Sequence, residues 1–420
     1  MLYFNCCIGK DTKERNKKMK KLIAVLLVVC LVFAGAIGYI SHKNDQIQAG
    51  EASPAPVETP AAEASAQPIT IKTLDYDLLY AKYEPEQPVV TIGEEEVTWE
   101  EYFYMLFTQA RQVTDYFSAM ASYYGIAQNW DDFMDEEGTT TYAQFVVDST
   151  ESALTQLAAI ERFARENGVA LTEENAAALE EQRKSDIAAT CGADGTEEDF
   201  EEYLSTIYMT RELYDRINML NQLYQQNYIQ IYGENGELYS DEAALKYLKD
   251  GQYISAGHIL LMTTDPATGQ ALDEDAAAAK KASAEKIAAE LQAIEDPEAL
   301  LARFAELKEE YCEDTGKTSF PDGYTFTPGT MVAEFEDACS ALAEYQVSEP
   351  VKSSFGYHVI IRLPLDVDKV MEYSEDGTAL SARSIAANAE YGSRLQSVLD
   401  TLSLSYVEGF EKINILDYLK

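Results

Sequence analysis

Three histidines occur in the chain: His42, His258 and His358. The last two sit in similar settings, "SAGHILL" at 255–261 and "GYHVII" at 356–361, each leading into an apolar run. Imidazole titrates near neutrality, so it serves proton transfer, metal ligation and directed hydrogen bonding. A lone histidine on an apolar strand is more often a satisfied core residue. Two placed alike call for a shared explanation. The six cysteines (Cys6, Cys7, Cys30, Cys191, Cys312, Cys339) are scattered, with neither zinc-type spacing nor a disulfide framework. Cys312 and Cys339 can bridge only if the fold brings them together. No metal and no cofactor is expected.

The elements that must hold the two histidines can be read around them. Ile254 to Met262 reads as a strand and Ala276 to Leu291 as a helix, with Ile287 and Leu291 on one side. Asp296 is placed to cap a second helix that has Pro297 at its first position. That helix carries Leu300, Leu301, Phe304 and Leu307. A Gly/Pro/Thr-rich loop covers Thr315 to Thr330, and a short strand is expected within Tyr324 to Phe326. A third helix runs from Val332 to Leu342. "VSEPVKSSFGYHVIIRL" then gives a loop, a tight turn at Gly356 and a strand with His358 near its start. The order is β-α-α-loop-α-β.

"SAGHILL", "EEYCEDTG", "PGTMVAEFEDACSAL" and "VSEPVKSSFGYHVIIRL" resemble successive blocks of a parvulin-type peptidyl-prolyl isomerase, over roughly Gln252 to Leu363. With its export signal and helical flanks, the whole chain resembles the PrsA/SurA-like extracytoplasmic foldases. That resemblance implies that His258 and His358 are the paired histidines of adjacent central strands. It places Asp314 beside the substrate bond and adds Ser353 to the network. Met331 and Phe335 would form the proline pocket through an M-x-x-x-F segment. The histidines would orient Asp314 and Ser353 by hydrogen bonding rather than carry protons. The chemistry needs no bond cleavage: an X-Pro bond crosses a barrier of ~18–20 kcal/mol, over tens to hundreds of seconds.

Two departures accompany the resemblance. Pro321-Asp322-Gly323-Tyr324 stands where the family usually has Gly-Asp-Leu-Gly, so the pocket leucine is missing and Tyr324 or Phe326 is left to fill its space. Gly257 precedes His258 where a serine is common, and "ILLMTTD" brings no Arg/Lys cluster. Recognition of a phosphorylated serine-proline site, which needs such cations, is not expected.

Elsewhere the pattern is helical. Val89 to Ile92 reads as a strand, Gly93-Glu94 as a turn, and Thr98 with Glu101 as a capping box for a helix through Phe103, Leu106, Phe107 and Ala110. A second helix spans Tyr142 to Asn167 with Gly168 as its stop. Others follow Thr172, Thr196 and Ser240. Leu380 to Leu402 reads as a last helix, and "SYVEGFEKINIL" as a closing strand that returns to the first helices. The 28 tyrosines suit either half-buried packing or a surface that grips unfolded chains.

A net charge of −41 argues against nucleic acid, whose phosphates need a basic footprint. The basic cluster Lys17-Lys18-Met19-Lys20-Lys21 precedes an uncharged run, Leu22 to Ile40, that nearly spans a ~30 Å hydrocarbon core. It reads as an uncleaved anchor, as a signal cleaved after Ala34-Gly35-Ala36, or as a lipoprotein signal at Cys30. In the last reading, Val29 stands where a small residue is usual. Met19 is an alternative start. All three readings export the bulk of the chain. "AGEASPAPVETPAAEASAQP" cannot bury enough apolar surface to offset its ordering entropy, and reads as a disordered spacer.

The expected fold class is therefore α+β. A basic N-terminus (1–21), a membrane or signal segment (22–40) and a disordered linker (41–75) precede a mainly helical SurA/PrsA-like chaperone domain. That domain (76–250, completed by 366–420) carries an inserted FKBP-like β-α-α-α-β parvulin domain (251–365). The expected function is isomerisation of X-Pro bonds in newly translocated secreted polypeptides, at the extracytoplasmic face of the cell membrane. The alternative is a non-catalytic holdase whose parvulin-like domain only binds peptides. Homodimerisation is left open.

Overall fold

A computed structural model describes residues 69–134, 138–265, 268–374 and 377–420. The basic N-terminus, the run 22–40 and most of the spacer lie outside these residues. Among the described residues no helix is long and apolar enough to cross a membrane. The chain divides into two compact units. One comprises the described residues up to Asn227 together with Arg394–Lys420; the other is Tyr228–Ser393.

The first unit begins with residues 69–75, where Leu74 is buried and bridges Leu419. Helix α1 (Tyr76–Tyr80) follows, capped by Asp75. Strands β1 (Pro88–Ile92) and β2 (Glu95–Thr98) form a hairpin that turns at Gly93, whose φ of +62° suits glycine. Helix α2 (Trp99–Ala119) is buried on all sides from Glu101 to Phe107, and beyond that keeps Ala110, Val113 and Phe117 on the core at three-and-four spacing. Thr98 caps it through the Glu101 N–H. The expected reciprocal cap from Glu101 does not form: that side chain turns inward and pairs with Arg216 at 3.5 Å. Helices α3 (Tyr142–Glu166), α4 (Glu173–Cys191), α5 (Glu197–Thr206) and α6 (Arg211–Tyr232) follow. Capping boxes at Thr172/Asn175 and Thr196/Asp199 start α4 and α5.

The second unit holds the histidines. Helix α7 (Asp241–Asp250) leads into strand β3 (Ile254–Met262), then α8 (Glu274–Gln292) and α9 (Pro297–Tyr311), whose caps are Asp273 and Asp296. A 3₁₀ turn (Thr315–Thr318), β4 (Tyr324–Phe326), α10 (Ala333–Ala341), β5 (Val351–Lys352) and β6 (Gly356–Leu363) complete this part. The four strands form one antiparallel sheet in the order β4-β3-β6-β5. Side chains alternate between its faces. Ile259, Leu261, Val359 and Ile361 pack with Ile287, Leu291, Leu300 and Phe304 of α8 and α9. Ala256 and Ile360 pack with Phe335 and Cys339 of α10. His258 shares the parity of Ala256, and His358 that of Ile360, so both imidazoles emerge on the α10 face. Leu301, expected with the apolar stripe of α9, is 36% exposed. Cys312 and Cys339 are both free thiols, so the bridge between them does not form.

A hairpin of β7 (Val370–Tyr373) and β8 (Ala379–Ser381) follows, which the sequence did not suggest. Helix α11 (Ala382–Leu399) then leads to β9 (Leu404–Tyr406), which pairs antiparallel with β1 inside the first unit. "SYVEGFEKINIL" is not one closing strand. Only its first residues join the sheet; the remainder is loop up to a 3₁₀ turn at Ile415–Tyr418. Gly409, at φ +91°, bends the chain out of the extended conformation.

Candidate active site

On β3 and β6, His258 lies opposite Ile360 and His358 opposite Leu260. The two histidines are thus diagonal neighbours on one face, within reach of each other. Their rings stack at 16° with centroids 5.2 Å apart, and the two Nδ1 atoms are separated by 3.0 Å. On the outer side of His258, Nε2 lies 2.9 Å from Asp314 Oδ2. On the outer side of His358, Nε2 lies 2.7 Å from Ser353 Oγ. Both histidines are buried, at 8% and 4% exposure.

The direction of each hydrogen bond follows from Asp314. Burial alone would raise its pKa, but bonds from His258, the Tyr324 hydroxyl (2.6 Å) and the Gly316 N–H (3.0 Å) outweigh that and hold it well below the ordinary carboxylate range. An ionised Asp314 only accepts, so His258 donates through Nε2–H. With one hydrogen on each ring, the remaining Nδ1 of His258 accepts from His358 Nδ1–H. The bare Nε2 of His358 then accepts from the Ser353 hydroxyl, whose oxygen accepts from the Phe355 N–H at 3.1 Å. Every donor along this line points toward Asp314. Burial, then the neighbouring His258, lowers the pKa of His358 to about 4, so this ring stays neutral near pH 7.

Local sequence explains the placement. Asp314 follows the C-terminus of α9 and caps the 3₁₀ turn after it. Just before it, the Cys312 thiol accepts from the Leu260 N–H at 3.4 Å, and Glu313 accepts from the Met262 N–H at 2.7 Å. These contacts pin the segment against β3. Gly356 opens β6 where a Cβ would lie 2.1 Å from the Leu261 carbonyl oxygen, so only glycine lets the strands approach.

All eight residues singled out in the sequence lie in this region. Phe335 places its ring edge-on to both imidazoles, at 5.3 Å and 5.5 Å. Phe326, 3% exposed, packs on Phe335 from inside the core. Met331 is partly buried against the same cluster. Tyr324 flanks His258 at 5.7 Å, and its hydroxyl ends on Asp314. Glu336 escaped the sequence reading. Its carboxylate accepts from the Gly329 and Met331 N–H groups at 2.9 and 2.7 Å, fixing the loop that presents Met331. An acidic residue in the first turn of a helix carries no signal of that task.

Residues 258–363 match the family described as Rotamase: PPIC-type PPIASE domain. Foldase protein PrsA 1 of Bacillus cereus is 57% identical over 58 residues, which cover 14% of this chain and 20% of that protein. Foldase protein PrsA of Oceanobacillus iheyensis is 27% identical over 231 residues, 54% of this chain and 64% of its own length. The chain therefore spans about a fifth of the first relative and less than two thirds of the second. The crystal structure of PrsA from Bacillus subtilis aligns with 64% of this chain and 90% of its own, at 19% identity and a TM-score of 0.24. Residues 258–363 are thus a PPIC-type peptidyl-prolyl isomerase domain of the parvulin kind, in a chain that resembles the PrsA foldases.

Proposed function

We propose that the protein is an extracytoplasmic foldase: it isomerises X-Pro bonds in secreted polypeptides and shields those chains while they fold. The observation that carries the reading is the line Asp314–His258–His358–Ser353 beside the Phe335 ring. Met331 and Phe335 supply an apolar wall for a proline ring, with Phe326 packed behind Phe335. Asp314 supplies a fixed negative charge beside it. Planarity of the imide rests on a resonance form with negative charge on the carbonyl oxygen. A carboxylate held near that oxygen opposes this form and so favours the twisted bond, which is stabilisation of the transition state over the ground state. His258, His358 and Ser353 orient the carboxylate and move no proton.

Apolar exposure supports the chaperone half. Tyr116, Tyr123, Tyr124, Ile126, Phe133 and Met134 are all exposed within one stretch of the first unit, Tyr123 to 83%. Exposed apolar side chains gathered in this way suit adaptable contact with unfolded chains. We assign the domain roles as 76–250 with 366–420 for holding clients and 251–365 for isomerisation. Export and tethering are assigned to 22–40. The test is refolding of a proline-limited client, together with suppression of its aggregation. A Tyr123→Ser/Tyr124→Ser variant should lose aggregation suppression while keeping the refolding rate. Loss of both, or of neither, contradicts the division of labour.

A further inference from the structure

Asp314 Oδ2 accepts two hydrogen bonds, one from each neighbouring strand: His258 Nε2–H from β3 and the Tyr324 hydroxyl from β4. The second bond is the shorter, at 2.6 Å. It is built in from both ends. On the Asp314 side, Gly316 leaves the space: a Cβ there would lie 2.1 Å from the Tyr324 hydroxyl oxygen. On the Tyr324 side, Gly323 adopts φ +84°, and a Cβ would lie 2.4 Å from the Ala256 carbonyl oxygen. Tyr324 is thereby aimed along the sheet edge, where its ring also meets Phe320 at 5.2 Å. Two glycines and one phenol thus form a socket whose contents end on the carboxylate.

We propose that Tyr324 is a positioning residue for Asp314: its hydroxyl locks the orientation and charge of the carboxylate that faces the substrate bond. Without it, Asp314 keeps His258 and the Gly316 N–H, and its Oδ2 has one lateral partner in place of two. The phenol donates and does not titrate near neutrality, since burial, followed by its bond to Asp314, raises its pKa. The other titratable or charged groups that act on Asp314 or its immediate surroundings are His258 and His358 from the central strands, Lys308 from α9, Cys312 beside it, Lys317 on the Cys312 carbonyl, and Asp322 before β4. None of these takes the place of the phenol's hydrogen bond. The kinetic half of this proposal rests on the isomerase reading; the structural half does not.

The experiment follows the Asp314 carboxyl by ¹³C NMR titration in the full chain, with X-Pro isomerase kinetics on the same samples. The variants are Tyr324→Phe, which removes only the hydroxyl, and Gly316→Ala, which keeps the phenol and displaces it. Both should raise the Asp314 titration by about one pH unit or more. Both should lower kcat several-fold with KM nearly unchanged. An Asp314 titration that does not move in Tyr324→Phe overturns the proposal, whatever the activity. A titration that moves in a parent protein with no isomerase activity leaves the positioning role standing and refutes the isomerase reading instead. Should Tyr324→Phe fail to fold by near-UV circular dichroism, Gly316→Ala decides the matter by the same two readouts.

Discussion

The Nδ1 atoms of His258 and His358 face each other at 3.0 Å, and this contact joins the Asp314 and Ser353 ends of the site into one hydrogen-bonded line. Two ring nitrogens at that distance share one hydrogen. Asp314 settles which ring supplies it, because an ionised carboxylate claims the Nε2–H of His258. The site is therefore a one-way line of donors that ends on a carboxylate, and it needs His358 in its neutral form.

Acid should strain this arrangement through His358. Its pKa in the fold is about 4, below the ordinary 6.5. Between those values the unfolded chain binds a proton that the folded chain refuses, so stability falls as pH drops from about 6.5 to 4. At about 1.4 kcal/mol per unit, the loss reaches about 3 kcal/mol. Urea unfolding of the second unit at pH 7.0 and pH 4.5 measures it. His358→Gln should flatten that part of the profile. The depressed pKa of Asp314 acts in the same direction but at lower pH, below its ordinary 3.8, so the two contributions separate.

Ser353→Ala removes the donor to His358 Nε2 and the acceptor of the Phe355 N–H together. Ser353 is 5% exposed, so little water can replace it. The expected destabilisation is about 1–3 kcal/mol. Imidazole ¹⁵N shifts should also report a changed His358 tautomer balance. Unchanged shifts would mean that the serine does not hold the ring.

Phe335→Ala opens a void beneath both imidazoles. Phe335 is 3% exposed and touches His258, His358 and Phe326. Truncation of a buried phenylalanine costs about 3–5 kcal/mol. Phe335→Leu keeps much of the volume and should fold, yet raise KM for proline peptides, because the flat wall for the ring is gone. Equal KM in Phe335→Leu and the parent would remove this residue from the proline pocket.

Gly356→Ala should be among the most damaging single substitutions in the domain. The added methyl meets the Leu261 carbonyl oxygen at 2.1 Å, a backbone atom that cannot rotate away. Relief requires β6 to part from β3 at the end that carries His358. Amide exchange of β6 should accelerate selectively, and isomerase activity should fall along with it.

Much of this site is legible in the sequence because its parts are local. His258 and His358 each sit in a short apolar run with strand periodicity. Asp296-Pro297 announces a helix start, and Asp314 follows the end of that helix. Pairing the two strands then needs only their shared pattern. The hidden parts depend on partners far along the chain. Glu101 has the spacing of a capping box, but the partly buried Arg216 offers a charge partner and draws it inward. The Tyr324 hydroxyl reads from sequence as material for a pocket wall, and only the space left by Gly316 shows that it reaches Asp314. The β7–β8 hairpin is short, with polar residues between its strands, and leaves no alternating apolar signal. Beyond Leu404–Tyr406 the C-terminal stretch has apolar residues enough for a strand, but it bends at Gly409 and buries Phe410, Ile413 and Ile415 without pairing in a named strand.

The most direct test of the central claim is cis-to-trans isomerisation of an X-Pro peptide by the intact protein, by His258→Ala and by Asp314→Ala, each verified as folded. The arrangement predicts acceleration well above the uncatalysed rate for the parent, with a loss of about tenfold or more in Asp314→Ala and a clear loss in His258→Ala. Equal rates in all three proteins, whether fast or at the uncatalysed level, would contradict it.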